Sequence, residues 1–246
     1  MTDTPAPDVE PTFRADVTVE LVKHAASDSD VLWAARVSTA GEQSLEELQK
    51  DPERSQGLIN YLMRDRHGSP FQHNSMTFFI SAPIFVFREF TRHRVGWSCN
   101  EESGRYRELQ PVFYVPAADR KLVQRGRPGK YEFVEGSAAQ QELTSRVMED
   151  SYRRSCEAYQ ELLASGVARE VARATLPVGL FSSMYATCNA RSLMHFLGLR
   201  TQHEPARVPS FPQREIEMVG ERMEREWARL MPLTHAAFNT NGRVAP

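Results

Sequence analysis

Arg88, Arg92, His93, Arg94, Arg105 and Arg107 crowd one short stretch, interrupted by a polar loop with Ser98, Asn100, Ser103 and Gly104. Arginine forks bind phosphate bidentately. A Ser-Gly turn also lets backbone N–H groups approach an anion closely, so the combination suits a nucleotide phosphate. The rival reading is a solvated surface on which these arginines pair with Glu89, Glu101, Glu102 and Glu108. Trp97, Cys99 and Tyr106 favour the binding site, because purely solvated charge runs seldom carry ring and thiol groups. Further cations follow at Arg169, Arg173, Arg191 and Arg200. Cys99 and Ser103 are the tempting nucleophiles. Ser103 has no evident base and fits a phosphate donor, while Cys99 is expected to pack.

These side chains need elements to hold them. After Pro83, a helix is expected with Ile84, Phe87, Phe90 and Thr91 on one stripe and Arg88 stacked on Arg92 on another. Period-two alternation predicts strands at Val17–Leu21 and Ser75–Ser81. Ser29 is expected to cap a helix through Leu32, Ala35 and Arg36, and the helical pattern returns at Gln56–Arg64. A longer amphipathic helix spans about Leu143–Ala164 and stops at Gly166. Arg169 and Arg173 share a short helix closed by Pro177, and Asn189 caps the next one. Ile216, Val219, Met223, Trp227 and Leu230 line a final helix. Arg125–Lys130 and Glu204–Pro212 read as loops, since Gly and Pro disfavour regular pairing. Residues 1–14 read as a flexible arm, because Pro5, Pro7 and Pro11 interrupt a polar stretch, and 15–246 as one domain. The total is mixed α+β, richer in helix than in strand.

Composition narrows the classes. A formal net charge of −2 over 246 residues gives the whole molecule no electrostatic footprint for nucleic acid. No apolar run approaches the roughly 20 residues of a membrane helix, and the acidic, Pro-containing start lacks a signal-peptide core, so no membrane and a cytoplasmic address are expected. Three cysteines without a C-x-x-C pair argue for structural thiols over a disulfide framework or zinc ribbon. His67 and His73 do not share a helix face, no H-E-x-x-H is present, and no G-x-G-x-x-G opens a helix. No metal and no Rossmann fold are therefore expected. His24 and His235 are assigned no role.

The string Arg92-His93-Arg94, then eight residues, then Ser103-Gly104-Arg105-Tyr106 resembles the signature of the flavin-dependent thymidylate synthases, which usually has seven residues in that gap. The extra residue falls in Val95-Gly96-Trp97. Ala35-Arg36-Val37-Ser38, Ala82–Val86, Arg169–Arg173 and Asn189–Met194 through Leu199-Arg200 also look like family segments in family order.

That resemblance implies a central, mostly antiparallel sheet flanked by helices, in a homotetramer whose active sites draw on several subunits. It implies reductive methylation of dUMP to dTMP, with methylenetetrahydrofolate giving the carbon and NADPH-reduced FAD the hydride. By the same resemblance FAD is held by Ser69, Arg92, His93, Arg94, Glu101, Asn189, Arg191, His195 and His203. The dUMP set is Glu89, Arg92, Glu102, Ser103, Gly104, Arg105, Arg173 and Arg200, with the phosphate on Ser103, Gly104, Arg105 and Arg173. Arg200 lies at the uracil, where a fixed guanidinium beside N3 stabilises the anion that attacks from C5. Glu89 stands where glutamine is common, and His195 where asparagine is common. An acidic group at 89 near a phosphate needs a cationic partner, which sequence proximity assigns to Arg88 or Arg92. The alternatives are another flavin or nucleotide enzyme, and a non-catalytic nucleotide- or RNA-binding module. A yellow protein with an FAD spectrum discounts the last.

Overall fold

The computed structural model describes residues 10–41, 52–127 and 130–246. In chain order the first elements are β1 (Thr12–Arg14), β2 (Thr18–Ala25), α1 (Asp28–Ala40), α2 (Pro52–Arg64), a 3-10 turn at Ser69–Gln72, β3 (Ser75–Pro83), α3 (Ile84–Phe90) and β4 (Trp97–Glu101). They are followed by β5 (Val112–Tyr114), β6 (Val123–Arg127), β7 (Lys130–Val134), α4 (Ala138–Ala164), α5 (Arg169–Ala172) and a second 3-10 turn at Arg173–Thr175. The chain then runs through β8 (Phe181–Cys188), α6 (Ala190–Arg200), α7 (Arg214–Leu230) and α8 (Pro232–Thr240). This is the expected α+β class. No helix among the described residues is long and apolar enough to cross a membrane.

A four-stranded sheet has the order β2-β3-β8-β4. Its central pair is antiparallel: the Thr77 and Thr187 hydroxyls meet at 2.9 Å, and two residues onward along β3, Phe79 meets Tyr185, two residues back along β8. The chain forms two compact units, one of residues up to Asp16, Ser81–Arg88 and Glu101–Ser183, the other of Val17–Ile80, Glu89–Asn100 and Met184–Pro246.

In the first unit Phe113, Tyr152, Cys156 and Leu180 form a buried cluster, with Phe13, Ile84 and Leu176 packed against it. The Phe113 and Tyr152 rings stack with centroids 4.8 Å apart. Residues 12–14, expected within a flexible arm, instead form β1, which pairs in parallel with β5. The reason is burial: Phe13 reaches the ring cluster, and the Arg14 guanidinium lies 4.7 Å above Phe181. Arg125–Arg127 and Lys130, expected in a loop, belong to the antiparallel pair β6-β7. Here the ladder satisfies backbone groups that Gly126 alone leaves without side-chain packing. The long helix begins at Ala138, five residues before the expected start at Leu143, because Ser137 caps it by accepting from the Gln140 N–H at 3.3 Å.

In the second unit Ile216, Val219, Met223 and Trp227 are fully buried along α7, as their spacing predicts. Each such side chain contributes roughly 1.5–3 kcal/mol, so one face of α7 outweighs its many charged residues in fixing the helix. α7 packs on β2, α6 and α8, and α8 packs on α2. Two expectations change. Ser27, not Ser29, precedes α1: its backbone is extended, and its N–H donates to Asp30 Oδ2 at 2.6 Å. α7 is not the final helix, because Pro232 opens α8, whose first turn is capped by Asp28 accepting from the Leu233 and Thr234 N–H groups at 2.9 Å.

Candidate active site

The second unit carries a cationic cleft built at two chain turns. α3 stops at Phe90 because the N–H groups of Arg92 and His93 turn back to the carbonyls of Glu89 and Phe90 at 3.2 and 3.0 Å. Arg92 thus lies beyond the helix, which corrects the expected Arg88–Arg92 stack, and Thr91 is exposed and off the apolar stripe. Gly96 then adopts φ +70, and a side chain there would collide with the Ser192 hydroxyl. That hydroxyl donates to the Val95 carbonyl at 2.9 Å, so the loop holding the extra residue is latched to the start of α6. Trp97 anchors its far end between Phe90 and Phe196, with centroids at 5.1 and 5.7 Å.

Across the cleft, Asn189 caps α6 by accepting from the Ser192 N–H at 2.9 Å, which orients Arg191 and His195 on the first turns. The cleft encloses about 310 Å³ and is lined by Gln72, Arg92, His93, Arg94, Val95, Trp97, Arg191, Ser192 and His195. Among the described residues no carboxylate lies within salt-bridge distance of Arg92 or Arg94. Burial lowers the His195 imidazole below its ordinary value, and Arg191 and Arg66 lower it further. A neutral ring beside three guanidinium groups makes a wall suited to an anionic, ring-bearing ligand.

Arg200 ends α6 and is held from two sides. Its Nη1 donates to Glu89 Oε2 at 2.6 Å and its Nε to His93 Nε2 at 3.1 Å. Burial, then Arg200, then His195 pull the His93 imidazole down to about 4, so at neutral pH it is the uncharged acceptor this geometry requires. Glu89 therefore finds its cationic partner in Arg200, a residue 111 positions away, and not in Arg88 or Arg92. Among the described residues the partners of Arg200 take Nε and Nη1 and leave the Nη2 donors open.

The first unit carries the Ser103-Gly104-Arg105 turn. The Arg105 N–H donates to Ser103 Oγ at 3.3 Å, and the N–H groups of Tyr106 and Arg107 close back on the Ser103 carbonyl. Arg173 lies alongside: a side chain at Gly104 would sit 3.2 Å from its Cδ. Glu102 is fixed by the Ser183 hydroxyl at 3.2 Å and Arg107 at 3.1 Å. Arg105 is paired with Glu170 at 2.9 Å on the surface. Of the ion pairs expected on a solvated surface, Arg107 makes one with Glu102, while Arg105 pairs outside the expected set, with Glu170.

Of the residues expected at the flavin, Arg92, His93, Arg94, Arg191 and His195 come together in the cleft. Ser69 opens the 3-10 turn whose last residue, Gln72, lines it, and Asn189 serves as a cap. His203 is exposed beyond α6, and Glu101 ends β4. Gln72, Val95 and Ser192 line the cleft without having been expected there, and Trp97 joins them. The ring among charges at Trp97 was the available signal. Cys99, expected to pack, is exposed on β4, whereas Cys156 and Cys188 are buried. His235, given no role, bonds Glu224 at 2.9 Å.

Fold and cleft together define an α+β protein equipped to hold a phosphorylated, ring-bearing ligand with guanidinium groups. The family described as "Thymidylate synthase complementing protein" matches residues 20–233. Relatives named flavin-dependent thymidylate synthase are 86% identical in Streptomyces avermitilis and 80% in Streptomyces coelicolor, each over 100% of both chains. One from Tropheryma whipplei is 56% identical over 97% of this chain and 98% of its own. A crystal structure of a UMP/dUMP methylase, PolB, from Streptomyces cacaoi bound with 5-Br dUMP superposes with a TM-score of 0.90. It is 56% identical and covers 96% of this chain and 100% of the other. The chain belongs to the family of flavin-dependent thymidylate synthases.

Proposed function

We propose that this chain converts dUMP to dTMP by reductive methylation, taking carbon from methylenetetrahydrofolate and reducing equivalents from NADPH through FAD. The observation that carries this reading is Arg200, clamped at 2.6 Å by Glu89 and at 3.1 Å by His93, whose imidazole lines the cationic cleft. An always-protonated guanidinium with Nη2 donors to spare stabilises negative charge on a uracil ring without giving up a proton. C5 of the ring is then electron-rich enough to attack the folate methylene.

The cleft fits FAD: Arg92, Arg94 and Arg191 suit a pyrophosphate, and Trp97, His93 and His195 offer ring surfaces. Ser69, Glu101, Asn189 and His203 complete the proposed flavin set. When bound, reduced FAD supplies the hydride that no side chain can. Ser103, Gly104, Arg105 and Arg173 hold the substrate phosphate, and Glu89, Arg92 and Glu102, the last steadied by Ser183 and Arg107, complete the dUMP set. Residues 15–246 act as one thymidylate synthase domain, in the cytoplasm, as a homotetramer with shared sites.

The PolB neighbour is named for both UMP and dUMP. We assign dUMP here because the relatives at 86% and 80% identity carry the thymidylate synthase name. The test is tritium release from dUMP labelled at C5, dependent on methylenetetrahydrofolate and NADPH, run beside UMP labelled in the same way. No release from flavin-loaded protein sinks the reading, and faster release from UMP reassigns the substrate.

A further inference from the structure

The segment Arg243–Pro246 touches Arg191, a member of the proposed flavin set, and Thr201, the neighbour of Arg200. The Arg191 Nε donates to the Pro246 carbonyl at 2.6 Å. From the other side Arg66 Nη1 donates to the Ala245 carbonyl at 3.2 Å and the Val244 carbonyl at 3.5 Å. Arg243 itself is almost wholly buried, its side chain 3% exposed. Its Nη1 and Nη2 grip both oxygens of Glu224 on α7 at 2.6 and 2.8 Å, and Nη2 also donates to the Thr201 hydroxyl at 2.8 Å. Thr201 is the residue after Arg200. Arg66 and Arg243 are also the only non-glycine residues at positive φ among the described residues, +66 and +57, a region that surrounding contacts must impose.

We propose that residues 243–246 are a positioning strap, with Arg66 and Arg243 as its two anchors, that holds Arg191 toward the flavin cleft and ties the end of α6 to α7. This rests on the flavin reading above. Gly68 is the point where the strap, Arg191 and the chain before the 3-10 turn meet. A Cβ there would lie 2.6 Å from Arg191 Nε and 2.7 Å from the Pro246 carbonyl oxygen. The Gly68 backbone has φ −78 and ψ −27, which any residue adopts. Gly68→Ala therefore displaces the guanidinium or the strap carbonyl without straining its own backbone.

The experiment is FAD affinity of the full apo chain, read by flavin fluorescence, for wild type, Gly68→Ala, Arg191→Ala and the double variant, with apo melting temperatures alongside. Misaligning one charge-assisted hydrogen-bonding side chain is expected to weaken binding about tenfold in Gly68→Ala. In the Arg191→Ala background the same change should cost under about twofold, because the residue it acts through is gone. Wild-type affinity in Gly68→Ala, or an equal loss in both backgrounds, overturns the strap. A wild-type chain that binds no flavin overturns the functional reading and the strap with it. Should Gly68→Ala lower the apo melting temperature markedly, Arg66→Met replaces it. That change removes the far anchor, and the same Arg191-dependent loss is expected, its absence overturning the proposal.

Discussion

Replacing Arg200 with glutamine separates what this residue does for the fold from what it does for the reaction. Arg200→Gln removes the proposed cation beside the uracil, and the loss of one preorganised donor of this kind lowers kcat by roughly 100- to 1000-fold. It also leaves Glu89 without its partner. The pair is 22% and 28% exposed, between a surface pair worth under about 1 kcal/mol and a buried one that costs about 3–5 to break. A destabilisation of about 2 kcal/mol follows, or roughly 4–8 °C in Tm for a chain of this size. Glu89→Gln placed on top of it removes the orphaned carboxylate and should return most of that stability while returning none of the turnover. His93 gives an independent reading in the apo protein. Without the neighbouring guanidinium its pKa should rise from about 4, yet stay below the ordinary 6.5 because burial is the larger cause. Differential scanning calorimetry, C5 tritium release and histidine NMR titration measure the three quantities. Turnover within threefold of wild type in Arg200→Gln, or full turnover in the double variant, refutes the role given to Arg200.

Glu224 makes the fold acid-sensitive. Burial alone would raise its carboxyl, but Arg243 and His235 hold it at about 2. A depressed carboxylate stabilises above its unfolded value near 4.5, and that stability is lost as pH falls from there toward 2, amounting to about 3 kcal/mol. Urea unfolding at stepped pH should show this window flattened in Glu224→Gln; an unchanged profile refutes it. Cys99→Ala should keep substantial turnover, since the exposed thiol is given no part in the chemistry. Complete loss with flavin still bound overturns the hydride mechanism. Ser192→Ala should weaken FAD binding by severalfold through release of the Val95 carbonyl, measured by flavin fluorescence.

The sequence made short-range physics legible and long-range pairing opaque. The buried stripe of α7 and the Asn189 cap follow from spacing and side-chain chemistry alone. The β6-β7 pair does not, because Arg125-Gly126-Arg127 has turn composition and only its partner strand makes it a ladder. Arg92, His93 and Arg94 declare themselves as a cluster, whereas Gln72 and Ser192 join the cleft by folding from elsewhere. Glu89 illustrates the limit well. Its need for a cation was readable, but the partner 111 residues away was not. Glu224 was hidden for another reason, since a charged residue on an amphipathic helix reads as solvated until Arg243, beyond the end of α8, folds back to grip it.

The latch between Gly96 and Ser192 sets how this enzyme's signature loop can be exchanged. The Val95 carbonyl takes the Ser192 hydroxyl at 2.9 Å, and the space that a side chain at 96 would need is filled by that same group. A seven-residue loop spliced in from a family member would shift the carbonyl that Ser192 meets and so misalign the latch at the head of α6. Val95-Gly96 and the α6 start are one joint split across the gene, and a chimera that moves only half of it inherits a mismatch.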